Sequence, residues 1–163
     1  MTKPYQHWNV LPHGKLLQID DGILTVTGPI RMPLGSFPRR MTVVRLRDSR
    51  LVVWSAIALD AKEMATLEAF GRPASLIVPN DHHRLDVKAW KDRYPQLQVV
   101  APKGSRAKVE EVVPVDTTAP DFGDPDVQFV TVAGTRERIL VSHGEPIEAN
   151  PQQTLRDLAG SLG

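Results

Sequence analysis

Cysteine is absent from the 163 residues. That excludes disulfides, thiolate ligands and a cysteine nucleophile, so any metal would have to be held by histidine, carboxylate or backbone oxygen. Long apolar runs are absent too. The longest, Leu51 to Leu59, is nine residues and is interrupted by Ser55, whereas a membrane-spanning helix needs about 20. No charge of one sign dominates: 20 basic residues face 19 acidic ones, for a net charge of +1. A nucleic acid or an anionic membrane therefore has no global electrostatic attraction to this chain. Eleven Gly and fourteen Pro are too few for a collagenous or low-complexity chain. The first residues, Met1 to Trp8, contain no apolar stretch of signal-peptide length. No GxGxxG, GxSxG, HExxH or zinc-ribbon spacing occurs. The expectation is a soluble, cytoplasmic protein.

What is present suits one folded domain over residues 1–163. Apolar residues make up 41% of the chain, enough to bury a core. Charge is uneven along the sequence. Arg31 to Arg50 holds six Arg and one acid, while Glu110 to Asp126 holds six acids and no Lys or Arg. Such runs are solvated surfaces unless they pair with each other or with a second subunit.

Asp20-Asp21-Gly22 lies between the β-prone runs 16–19 and 23–27, a hairpin signal. A second hairpin is expected from 41–46 and 51–56 around Arg47-Asp48-Ser49-Arg50, with Leu51 to Trp54 apolar throughout, as in a strand covered on both faces. Asp60-Ala61-Lys62-Glu63 has the form of a capping box, opening a helix that Gly71 and Pro73 close. Strands are expected at 76–78 and 97–101, with helices over 85–94 and 105–113. A Pro- and Asp-rich loop follows at 114–125, then strands at 127–132 and 138–141 and a helix from 151 to about 159. Antiparallel hairpins leading into β-α-β units predict a mixed sheet with helices outside it.

Chemistry is concentrated where short apolar strands end. After Leu76-Ile77-Val78 come Asp81, His82, His83 and Asp86 within six residues. In α/β sheets, sites collect beyond the carboxyl ends of strands. Imidazole with carboxylate suits Zn, Fe or Mn. The same residues also suit a polar helix cap with solvent-exposed histidines. Ile139-Leu140-Val141-Ser142-His143-Gly144 repeats the pattern, delivering His143 to a sharp turn, although a lone strand-end histidine is more often structural. His7 and His13 acquire no role, and Trp8, Trp54 and Trp90 read as core or core edge.

These segments carry a resemblance. Met41 to Leu46, Leu51 to Leu59, Val78-Pro79-Asn80-Asp81-His82-His83, Trp90 to Pro95 and Val99 to Lys103 together resemble the metallo-β-lactamase fold superfamily. The match is more particular to its branch with a degenerate metal motif, the DUF4336-type proteins. The resemblance implies an α+β fold, a shortened αββα sandwich with mixed sheets and outer helices. It also implies a metal motif of the form His-x-His-x-Asp-His. On Asp81 to Lys88 this reads Asp-His-His-Arg-Leu-Asp-Val-Lys. His83 keeps a signature histidine, and Asp81 and Asp86 stand where histidines would be. Leu85 stands where the second-site Asp would be and cannot ligate. His143 matches the late histidine or falls near the bridging Asp.

Two functions follow from the resemblance. One is a mononuclear hydrolase acting on a small molecule, with one Zn (or Fe or Mn) held by His83, Asp86 and His143. Asp81 would be its general base, or a ligand, and His82 a spare ligand. The other is a metal-free pseudoenzyme serving as a binding or self-association module, in which a homo-oligomer would join the Arg-rich hairpin to the acidic run of a neighbour.

Overall fold

A computed structural model describes residues 3–32 and 35–129. The described residues form one six-stranded sheet whose spatial order equals its sequence order. The strands are β1 (Leu17–Asp20), β2 (Ile23–Met32), β3 (Gly35–Arg45), β4 (Arg50–Trp54), β5 (Arg72–Ile77) and β6 (Gln98–Val100). Among the described residues, two helices lie between strands, α1 (Ala61–Phe70) and α2 (Val87–Arg93), and α3 (Arg106–Glu110) follows β6. Strands β1 to β4 run antiparallel, and β4, β5 and β6 are parallel. This is the mixed α+β sheet expected, since hairpins give antiparallel neighbours and the two helical crossovers force parallel ones. No described helix is long and apolar enough to cross a membrane.

Both expected turns form hairpins, but the strands between them run on. Residues 28–32 and 35–40, rich in Pro and Arg, form the outer half of a long β2–β3 ribbon. Pro29 lies opposite Pro38. Neither has an N–H, so they can face each other only at a pair that exchanges no hydrogen bond. The missing N–H groups both lie on the sides of the ribbon turned away from the β2–β3 ladder, so neither proline costs that ladder a hydrogen bond.

Period-2 alternation gives the sheet two apolar faces. Leu51 and Val53 of β4, Leu76 of β5 and Val99 of β6 join the main core with Met64 and Leu67 of α1, Val87 and Trp90 of α2, and Val109 of α3. Val52, Ile77 and Val100 face the other way, beneath Phe122, Val127 and Phe129. Strand β4 is thus buried on both sides, as its unbroken apolar run requires. The expected strand at 127–132 is irregular over 127–129. The remainder, with the strand at 138–141 and the helix from 151, lies outside the described residues.

Asp60 caps α1 by accepting from the Glu63 N–H at 2.9 Å. The return half of the capping box is made differently. Glu63 accepts from the Leu16 N–H at 2.7 Å, and the Asp60 N–H donates to His13 Nε2 at 3.0 Å. His13 therefore ties the N-terminal segment to the helix start. At the other end, Gly71 closes α1 in a crowded place: a Cβ there would lie 2.5 Å from the Ser49 carbonyl oxygen and 2.7 Å from Leu51 Cδ2. Gly71→Ala is expected to destabilise the fold by about 1–3 kcal/mol, as overpacking against backbone does, read as a lowered denaturant midpoint at constant m-value.

The two charge clusters meet within the chain. The Arg47 N–H donates to Asp124 at 2.7 Å, and Arg47 Nε to Asp126 at 2.6 Å. Arg50 Nη2 donates to the Phe122 carbonyl at 2.6 Å. These contacts hold the 121–127 loop over the second face of the sheet.

Candidate functional site

The parallel strands β4, β5 and β6 deliver their carboxyl ends to one edge of the sheet. Beyond β4 comes Ser55, and beyond β5 comes the segment Asn80 to Asp86. Strand β3 runs antiparallel to β4 and pairs with it from Thr42 onward. Its residues before Thr42, including Arg39 and Arg40, therefore extend past the same edge. Chain topology thus gathers a serine, two histidines, two carboxylates and two arginines at one end of the sheet.

The segment after β5 is folded by its own polar groups. Asn80 Oδ1 accepts from the His82 N–H at 2.9 Å, an Asx turn. Arg84 then clamps it: Nε donates to the Asp81 carbonyl at 2.6 Å, while Nη1 donates to the Lys108 carbonyl at 2.5 Å and to Glu111 at 2.9 Å. This turn sends consecutive side chains to different places.

His82 goes outward, and Asp81 stays partly buried beside it. They approach each other at 3.4 Å, with the His82 side chain 67% exposed. His83 turns inward, half-buried, and its Nδ1 is 2.5 Å from Ser55 Oγ. Asp86 goes furthest in. Its side chain is fully buried at the start of α2, where Oδ2 accepts from Arg39 Nη1 in an ion pair. Burial pushes the Asp86 carboxyl above the ordinary carboxylate range, while the Arg39 guanidinium and the Ala58 backbone amide act against that rise. Asp86 Oδ1 and Arg39 Nε and Nη2 are buried without a hydrogen-bond partner among the described residues.

The expected ligands therefore do not converge. Among the described residues, no three of His, Asp and Glu are grouped to hold a metal ion. Asp86, expected as a ligand, has a guanidinium against its carboxylate, and a cation placed there would meet a like charge. The described donor set does not fit a metal. His143 lies outside the described residues.

Three participants carried no sequence assignment: Arg39, Ser55 and His13. Ser55 did leave a signal, as the only hydroxyl inside the apolar run from Leu51 to Leu59. It is buried, and its φ of 55° lies in the left-handed region that side-chain-bearing residues rarely adopt. Ser49 shares that conformation (φ 64°), but it sits in the β3–β4 hairpin turn, where such a φ is ordinary. Ser55 is held in it at a strand end, with its N–H donating to the Ile77 carbonyl at 3.0 Å.

No protein-family model matches the chain, and no curated protein matches it in sequence. Solved structures do match. The metallo-β-lactamase DIM-1, in a structure exposed to ceftazidime, aligns with a TM-score of 0.51 at 11% identity over 67% of this chain and 52% of its own. A metallo-β-lactamase from Hirschia baltica aligns at 0.48 and 12% identity, covering 68% of this chain and 54% of that one. The mono-zinc form of the FIM-1 enzyme from Pseudomonas aeruginosa aligns at 0.48 and 14%, covering 66% and 50%. This chain spans about half the length of the structures it matches. The fold is of the metallo-β-lactamase type.

Proposed function

We propose that this chain is a metal-free member of the metallo-β-lactamase fold, of the degenerate DUF4336-type branch. In this reading its strand-end site acts on a small molecule in the cytoplasm with organic groups alone. The observation that carries it is the buried Arg39–Asp86 pair. A carboxylate that would have to serve a cation is already neutralised by one, and the guanidinium brings the positive charge to this end of the sheet. The intrachain partners of Arg47 and Arg50 favour a small-molecule site over self-association through the Arg-rich hairpin.

The test is metal content and thermal stability of protein purified without a His tag. The expected result is no stoichiometric Zn, Fe or Mn, and a melting temperature that ignores added Zn or Mn. A ligand at 100 times its Kd would stabilise the fold by about 2.7 kcal/mol, a shift of several degrees in a domain of this size. One equivalent of bound metal, lost on His83→Ala, would overturn the proposal in favour of a mononuclear hydrolase using His83 and His143 with Asp81 or His82.

A further inference from the structure

The geometry points to Ser55 and His83 as a nucleophile–base dyad that opens small carboxylic esters by acyl transfer. Two independent observations support it. Ser55 Oγ lies 2.5 Å from His83 Nδ1, within the reach a general base needs. Ser55 is also held at a left-handed φ of 55° directly after a buried parallel strand. Backbone strain of that kind costs on the order of 1–3 kcal/mol and persists only where the surroundings impose it. The strained turn at the end of β4 holds the buried Ser55 hydroxyl against the His83 ring.

The chemistry balances with water as the only co-reactant. Ser55 Oγ bonds to the acyl carbon as its proton passes to His83 Nδ1. The resulting imidazolium returns that proton to the ester's alkoxide as the acyl C–O bond breaks, leaving an acyl ester on Ser55. Water then attacks this ester, giving a proton to Nδ1, and Ser55 leaves as the hydroxyl with that proton. An ester suits a dyad because its alkoxide needs one proton to depart.

The inference rests on the metal-free reading, because the direction of one hydrogen bond separates the two. As a base, His83 accepts at Nδ1 and carries its proton on Nε2. As a metal ligand through Nε2, it would have to donate from Nδ1 to Ser55.

The experiment is labelling of the full chain with a fluorophosphonate in EDTA, with mapping by mass spectrometry. One label per chain on Ser55 is expected. His83→Gln should slow labelling by about 100-fold, the scale of a lost general base. Ser55→Gly removes the hydroxyl while relieving the left-handed strain; it should fold and take no label. Wild-type protein should also give a stoichiometric burst of 4-nitrophenol from 4-nitrophenyl acetate, absent in Ser55→Gly. Absence of label on Ser55 in folded wild type, or an unchanged rate in His83→Gln, overturns the dyad. If that happens while zinc still leaves the melting temperature unmoved, the dyad fails alone. Labelling of Ser55 that requires prior removal of a bound equivalent of zinc would overturn both, because His83 would then be a metal ligand that donates to Ser55 in the native protein.

Discussion

Replacing Arg39 with methionine is expected to destabilise the protein by about 3–5 kcal/mol at pH 8, the scale of breaking a buried ion pair by removing one partner. The aliphatic part of the side chain is kept, so the loss is electrostatic. It leaves the fully buried Asp86 carboxylate without its counter-charge. Burial already raises this carboxyl above its reference value of 3.8, and Arg39 is the main opposing influence. Without Arg39 the folded-state value rises further. A carboxyl whose folded pKa exceeds its unfolded one favours the fold when protonated, and that contribution disappears as pH climbs through the folded value. The variant should therefore recover part of its loss on acidification from pH 8 towards 5, measured as the difference in urea unfolding free energy from wild type. Adding Asp86→Leu to Arg39→Met should restore most of the stability at pH 8. A pH-independent deficit that Asp86→Leu leaves uncorrected would refute this account.

Trp90→Ala is expected to cost a similar 3–5 kcal/mol, as deletion of a large buried aromatic does. Trp90 is wholly buried and contacts Trp8 and Tyr94 with ring centroids 5.5 and 5.6 Å away. Its indole N–H donates to the Ile57 carbonyl at 3.2 Å. The substitution leaves a cavity between α2 and the sheet and an unanswered carbonyl in the 55–59 segment. Because total stabilities are about 5–15 kcal/mol, this change should bring the chain close to unfolding at 37 °C. Equilibrium unfolding followed by circular dichroism reads it directly, and a loss under about 1 kcal/mol would contradict the packing described.

Much of this architecture was legible in the sequence because it is local. Asp20-Asp21-Gly22, the apolar run of β4 and the Asp60–Glu63 box each encode their structure within a few residues. The continuation of β2 into β3 was hidden because each of Pro29 and Pro38 argues against a strand, and only their mutual register reconciles them. The site was half legible. The clustering of polar groups after β5 was visible, but not their destinations. Asp86 and Arg39 are 47 positions apart, and Ser55 and His83 are 28 apart. Nothing in an Asp three residues after a His tells whether it faces a metal, water or a buried guanidinium. That choice is made by which strand lies alongside, a long-range fact.

The strand order β1-β2-β3-β4-β5-β6 bears on how the molecule is made. Every described strand docks beside the described strand synthesised just before it, so each closes onto its nearest neighbour in sequence. Closures of this kind favour rapid folding. The ribbon of β2 and β3 can assemble while later residues are still in the ribosome, and each new βα unit adds to an edge already in place. Apart from the outer side of β1, only the edge formed last among the described strands would be open at any moment.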